Sequence, residues 1–206
     1  MLVRVQHQVP TVYMSWILQS PEKQKFWSWR AGMFSEEQLT DIIELCSNIP
    51  AEDASVIGHG NQKIQEGGIR RSTIRWVPTT EKYSWIYETL SWNVQTINKD
   101  AFNFDLTHIE PLQFTEYDET TNGFYAPHTD NGETLSRKLS FVLQLSEPTK
   151  YEGGELLLHV GPEPTTMPKE RGKLLFFPSY TLHEVRPVTK GKRHSLVGWV
   201  AGPRFK

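Results

Sequence analysis

The sequence predicts a mainly β domain, a sheet sandwich or barrel with helices packed on its outside. Three observations carry this. Two amphipathic helical stretches come first. Beyond Leu112 the apolar period changes from helical spacing to two. Gly and Pro clusters then divide the rest into short strand candidates.

Taken in order, residues 1–34 give little periodic signal. Gln6–Tyr13 reads as a strand, and Trp16, Phe26, Trp27 and Trp29 point to packing on something larger. Ser35-Glu36-Glu37-Gln38 is a capping box, in which Ser35 accepts from the Gln38 amide and Gln38 reaches back. It opens a helix to about Ser47 with the apolar stripe Leu39, Ile42, Ile43 and Cys46, stopped by Asn48-Ile49-Pro50. Residues 51–68 carry Gly58, Gly60, Gly67 and Gly68 among polar residues and read as a loop, a lid candidate together with residues 119–123. Arg71–Val77 reads as a strand. A second helix is expected over Thr80–Lys99, with Ile86, Leu90, Val94 and Ile97 on one face. Strand candidates follow at Leu112–Tyr117, Lys138–Leu145, Glu155–Val160, Lys173–Phe177 and His194–Ala201. In the second of these, Leu139 and Leu143 have the phase to line a barrel, or to be plain core. We expect one domain over 1–206, with supporting elements in 1–110 and the β core in 111–206.

Composition excludes several classes. A net charge of −2 argues against a nucleic-acid binder held by bulk charge, although a local patch is compatible. Aromatic residues make up 12%, against disorder. The single cysteine, Cys46, rules out a disulfide framework and a cysteine zinc finger, and its apolar helical setting reads as core. No apolar run has the length of a membrane span. Val12–Leu18 is broken by Ser15 and lacks a cleavage pattern, so no signal peptide and a cytoplasmic location are expected.

The chemistry lies in the β half. In Pro127-His128-Thr129-Asp130, an extended chain turns His128 and Asp130 to one side. A third ligand must come from another strand, and His183 follows far enough on to return there. Two histidines and one carboxylate form a facial triad that leaves sites of an octahedral ion open, which suits non-haem Fe(II) binding a co-substrate and O2. Alone, such residues are also compatible with structural roles. Ten residues after His183 comes Arg193, then Ser195 on the same strand face. A guanidinium grips a carboxylate through two hydrogen bonds, which a dicarboxylate co-substrate needs if its other end chelates the metal. The alternative is a surface arginine in the basic turn Lys190–His194. The remaining histidines, His7, His59, His108, His159 and His194, read as surface or structural residues, with His159 as the reserve ligand.

His128-Thr129-Asp130, His183 and Arg193-His194-Ser195 together resemble the iron- and 2-oxoglutarate-dependent dioxygenases, above all the prolyl-4-hydroxylase-like branch and its PKHD-type relatives. The resemblance runs from about Pro111 to Pro203 and includes Gln113–Tyr117, Tyr151–Leu156 and Gly172–Pro178; a weaker likeness reaches back through Ile69-Arg70-Arg71-Ser72 and Trp76. It implies a double-stranded β-helix, or jelly roll, supported by N-terminal helices. It implies that His128, Asp130 and His183 ligate Fe(II), and that Arg193 pairs with the distal carboxylate of 2-oxoglutarate. It also implies that Tyr117 hydrogen-bonds 2-oxoglutarate, with Ser195 as a second carboxylate contact. The co-substrates would be 2-oxoglutarate and O2, with ascorbate a further candidate, and the products succinate, CO2 and a hydroxylated C–H position. Arg193 stands where animal collagen prolyl hydroxylases use lysine, which weakens the case for a collagen-like substrate.

The expected partner is therefore a peptide or protein hydroxylated on a prolyl-type residue. Alternatives are the same chemistry on a free amino acid, another small molecule or an alkylated nucleobase, or a jelly-roll binding module without turnover. Nucleic acid is disfavoured by the charge, no membrane partner is expected, and nothing in the sequence sets an oligomeric state. Arg70, Arg71, Arg75 and Trp76 form a basic-aromatic cluster that either faces substrate or is a solvated strand face.

Overall fold

The computed structural model describes residues 25–53, 56–57, 63–64, 68–132 and 136–204. The strand expected at Gln6–Tyr13, and Trp16, lie outside these residues. In chain order the first half holds β1 (Ser28–Arg30), α1 (Glu36–Ser47), β2 (Glu52–Asp53), β3 (Val56–Ile57), β4 (Lys63–Ile64), β5 (Arg70–Arg71), β6 (Thr73–Trp76) and α2 (Glu81–Ile97). The second half holds β7 (His108–Ile109), β8 (Gln113–Asp118), β9 (Phe124–His128), β10 (Arg137–Gln144), β11 (Tyr151–Gly153) and β12 (Leu156–Leu158). It ends with β13 (Thr165–Thr166), β14 (Leu174–Pro178), β15 (His183–Val185) and β16 (Val188–Ala201).

Two antiparallel sheets face each other. The major sheet runs β1-β14-β10-β16-β8-β6-β2, with β7 and β11 also on β16, and the minor sheet runs β13-β12-β15-β9-β5. This is the jelly-roll architecture with helices on one side. Period two gives the central major-sheet strands β8, β10, β14 and β16 two buried faces. One face puts Phe114, Leu139, Phe141, Leu143, Phe176 and Leu196 against Leu39, Ile42, Cys46, Ile86, Leu90 and Val94 of α1 and α2. The opposite face puts Tyr117, Val142, Leu175 and Phe177 against Leu156, Leu158 and Val185 of the minor sheet. Leu139 and Leu143 are therefore core beneath the helices, and do not line the barrel.

The capping box forms as expected: the Gln38 amide donates to Ser35 Oγ at 3.1 Å and the Ser35 amide to Gln38 Oε1 at 2.9 Å. Cys46 is fully buried, and burial pushes its thiol pKa up to about 12. α2 stops at Ile97, short of the expected Lys99, because the chain widens into one π-helical turn over Asn98–Phe102. The Asn98 side chain closes that turn with two 2.9 Å bonds to the Phe104 backbone, and Asn103 leaves it at φ 52°.

Three further elements depart from the sequence reading. The stretch read as one strand over Arg71–Val77 is a corner: β5 pairs with β9 of the minor sheet and β6 with β8 of the major sheet. The glycine-rich segment read as a loop contains β2, paired with β6, and the β3–β4 ribbon. β16 begins at Val188 rather than His194, so the supposed basic turn is strand. Lys190 pairs with Glu152 at 2.9 Å and Lys192 with Asp118 at 2.6 Å on neighbouring strands, and Gly191 sits at φ 70°, where a Cβ would meet the Lys150 carbonyl. The 119–123 lid candidate is a tight connection: Asp118 Oδ1 accepts from the Thr120 amide and hydroxyl, both at 2.8 Å. Among the described residues no helix is long and apolar enough to cross a membrane.

Candidate active site

The site forms where the two sheets approach. β9 and β15 are neighbours, and their register sets His128 directly opposite His183. Asp130 follows just beyond β9. Its amide donates to the Ser179 carbonyl at 2.9 Å, and its carboxylate accepts from Ser140 Oγ at 2.6 Å. Ser140 belongs to β10, so the carboxylate is held from the major sheet while the imidazoles stand on the minor one. Ser140 Oγ also meets Ser179 Oγ at 2.9 Å.

The ligand atoms of His128, Asp130 and His183 lie within 4.8 Å of one another. Each imidazole Nδ1 faces a carbonyl two residues back, Ala126 at 2.8 Å for His128 and Thr181 at 2.9 Å for His183. A carbonyl only accepts, so Nδ1 carries the proton and the Nε2 lone pair turns to the common point. The two Nε2 atoms lie 3.7 and 3.5 Å from the Asp130 oxygens. Burial first, then the His183 charge, pull the His128 pKa down to about 3 against the opposing pull of Asp130. Burial would raise the Asp130 pKa, but His183, His128 and the Ser140 hydroxyl outweigh it and hold the carboxyl below its usual range. His128 is thus held as neutral imidazole and Asp130 as ionised carboxylate, the protonation states a metal requires of these two ligands. Two nitrogens and one oxygen on one side of a point fit Fe(II) with open positions. Tyr125 stacks on His128 with ring centroids 3.5 Å apart, which fixes the imidazole plane.

Further along the barrel lies Arg193, 1% exposed. On β16 it faces Tyr117 of β8 across the register, with its guanidinium 5.5 Å above the Tyr117 ring. It donates to Gln144 Oε1 at 3.0 Å, and its Nε has no partner. Among the described residues no carboxylate pairs with it. A buried cation without a counter-charge is costly unless a ligand supplies one. Ser195, also 1% exposed, is two residues further along the same face. Tyr117 packs in the core between the sheets, on the same strand face as buried Thr115 and Gln113. The six residues singled out in the sequence therefore share one barrel interior.

Other expectations sort differently. His159 pairs with Glu184 at 3.3 Å and stands outside the triad. His194 is on the helix side of β16, bonded to Glu116 at 2.9 Å and stacked on Phe114. The basic-aromatic cluster divides. Arg70 is buried, donates to Gln113 Oε1 at 2.8 Å and lies 4.5 Å above the Tyr125 ring. Arg75 bonds the Ile49 carbonyl at 3.1 Å. Trp76 lies 6.2 Å from Trp199, whose ring is covered by Arg137 at 4.0 Å, itself fixed by Glu110 through two bonds of 2.8 and 2.6 Å. Ser140, Gln144, Tyr125 and Trp199 escaped the sequence reading. A signal existed for the first two: Ser140 and Gln144 are polar, four apart in an apolar period-two run, and so share a face.

Residues 112–201 match the family model of the 2OG-Fe(II) oxygenase superfamily. This likeness lies in the β half of the chain, the part that carries the triad and Arg193. The chain is 40% identical over 96 residues to a PKHD-type hydroxylase of Gloeothece citriformis, covering 45% of this chain and 43% of that protein. It is 42% identical over 78 residues to one of Parvibaculum lavamentivorans, covering 37% and 36%. The matched stretches thus span under half the length of these relatives. In fold it resembles a prolyl-4-hydroxylase of Pseudomonas putida, with TM-score 0.70, 22% identity, and 86% and 93% of the two chains covered. It also resembles a Trichoplax adhaerens prolyl hydroxylase solved with a hypoxia-inducible-factor peptide, with TM-score 0.69, 16% identity, and 86% and 84% covered.

Proposed function

We propose that the protein is an Fe(II)- and 2-oxoglutarate-dependent dioxygenase that hydroxylates an unactivated C–H bond on a peptidyl, prolyl-type residue, releasing succinate and CO2. The observation that carries this reading is the pairing, inside one barrel, of a metal-ready triad with a buried guanidinium that lacks an acid. One group needs a cation and the other an anion, and a 2-oxo dicarboxylate chelating the first and pairing with the second satisfies both.

His128, Asp130 and His183 hold the metal, and Arg193 takes the distal carboxylate, with Tyr117 and Ser195 as hydroxyl contacts. When bound, iron and its two co-substrates supply the oxidising chemistry, which is the cofactor's own. The chain's part is geometric and electrostatic. The Ala126 and Thr181 carbonyls fix the imidazole tautomers. Ser140 keeps the Asp130 carboxylate aimed. The apolar wall of Val142, Phe177 and Val185 keeps water from the reacting centre. Tyr125 and Trp199 give aromatic faces at the metal end, suited to a flat ring of a peptide residue. The solved prolyl hydroxylases of similar fold favour a peptide over a free amino acid, a small molecule or a nucleobase, and ascorbate enters as the reductant that maintains Fe(II).

The test is succinate release from 2-oxoglutarate with Fe(II), ascorbate and O2, combined with mass spectrometry for one-oxygen gains on peptides. Asp130→Ala is expected to abolish both metal binding and succinate release. Undiminished turnover in that variant overturns the ligand assignment. A wild-type protein that binds metal and 2-oxoglutarate but releases no succinate is a binding module instead. Oxygen gain on small molecules alone overturns the peptidyl substrate and leaves the chemistry standing.

A further inference from the structure

Gln144, at the end of β10, is 2% exposed and sits across from Ser195 of β16. Its side chain makes two hydrogen bonds of 3.0 Å: Oε1 accepts from Arg193, and Nε2 donates to the Pro168 carbonyl. The second bond decides the first. A carbonyl only accepts, so Nε2 must face Pro168 and Oε1 must face the guanidinium. The backbone of Gln144 is equally fixed. Its N–H donates to the Lys173 carbonyl at 2.9 Å, and its carbonyl accepts from the Gly172 N–H at 2.8 Å. The amide is thus clamped on both sides of the 168–173 segment and offers Arg193 one neutral acceptor.

We infer that Gln144 is a positioning residue for Arg193 that sets the affinity for 2-oxoglutarate by aiming the guanidinium without cancelling its charge. This rests on the reading of Arg193 as the anchor of the distal carboxylate. A neutral amide keeps one N–H direction satisfied, so the head group cannot swing. The full positive charge stays available to the incoming dicarboxylate. Glutamate has the same length and still offers the guanidinium an acceptor, although it loses the donor to the Pro168 carbonyl. Its carboxylate would also occupy the charge that the ligand requires. Methionine has similar length and supplies neither acceptor nor charge.

The experiment compares wild type, Gln144→Glu and Gln144→Met, each loaded with Mn(II), a divalent ion of similar ligand preference that stands in for iron. 2-Oxoglutarate is titrated by calorimetry, Mn(II) affinity is measured separately, and each variant is melted. The expected order of 2-oxoglutarate affinity is wild type, then Met, then Glu. The Glu variant should be weakened about tenfold or more, keep its Mn(II) affinity, and stay folded at the titration temperature in the melt. In turnover the loss is expected in KM for 2-oxoglutarate, with kcat kept at saturation. A merely structural role reverses the order, because glutamate pairs with arginine and methionine does not. If the Glu variant binds 2-oxoglutarate as wild type does, the inference on Gln144 is overturned while the anchor reading stands. If wild type with Mn(II) binds no 2-oxoglutarate, the anchor reading falls and takes this inference with it.

Discussion

The two faces of the major sheet are made by alternate residues of the same strands, yet they are different materials. Toward the helices stand Phe114, Leu139, Phe141, Leu143, Phe176 and Leu196, all fully buried with no polar group among them. Toward the minor sheet stand Gln113, Thr115, Ser140, Gln144, Arg193 and Ser195, buried just as deeply. Burial of the first set stabilises the fold through the hydrophobic effect. Burial of the second set costs stability unless every group is paired, and one of them, the Arg193 guanidinium, keeps an unpartnered Nε. The difference teaches that one set is built only from apolar side chains, while the other keeps polar groups and an unpaired guanidinium under the same burial.

That contrast predicts which substitutions damage stability and which damage binding. The largest effect is expected from Phe141→Ala. Phe141 is fully buried, lies 6.1 Å from Phe176, and lies so close to Gly198 that a Cβ there would clash with its ring. Denaturant unfolding should show a loss of about 3–5 kcal/mol, with metal affinity kept in the fraction that remains folded. Equal losses of stability and metal binding would merge the two faces. Arg193→Met should do the reverse. Titration of the Mn(II)-loaded protein should show 2-oxoglutarate binding weakened about 10–100-fold. Its Tm should hold or rise, since replacing a buried uncompensated charge by a packed apolar chain is often stabilising. A large drop in Tm with 2-oxoglutarate binding intact would make Arg193 structural.

Ser140→Ala sharpens the comparison at a single position. The Ser140 hydroxyl orients Asp130, and loss of such support behind a metal ligand costs about 10–100-fold in metal affinity. An unchanged Mn(II) affinity would show that the Asp130 carboxylate needs no support from the major sheet.

The smallest effect concerns the helix side, where polar groups do appear. Glu116 is held at a pKa of about 2, first by its hydrogen bond with His194 and also by Lys192. Its folded pKa lies below the ordinary value of 4.5. The stability it contributes is therefore present above that value and lost as pH falls from there toward 2. Stability measured at stepped pH should decline over this window, and Glu116→Gln should flatten part of the decline. An identical acid limb in both proteins would show that this ion pair is not felt.

Much of this was legible in the chain. The capping box at Ser35 and the stripe of α2 follow from local hydrogen bonding and helical spacing, and both form. The pair His128 and Asp130 and the later His183 converge, although Asp130 lies just beyond β9 and is aimed by Ser179 and Ser140 rather than by strand alternation. The phase of the alternation was not legible. Leu139 and Leu143 have the pattern of barrel-lining residues, but both faces of the strand are buried, so apolarity alone does not say which face meets the minor sheet. The early start of β16 was hidden because Lys190 and Lys192 look solvated in sequence. Their acid partners, Glu152 and Asp118, come from other strands.

The sequence by itself determined the two helices and the candidate ligand residues His128, Asp130 and His183, because helix caps, apolar spacing and donor chemistry act over a few residues. Only the tertiary structure decided which face of the sheet became the interior. It also decided that Ser140 braces Asp130, and that Gln144 meets Arg193. Those contacts join residues 10 and 49 positions apart, and such pairs are set by strand register and by packing of the helices on one face, not by local preference.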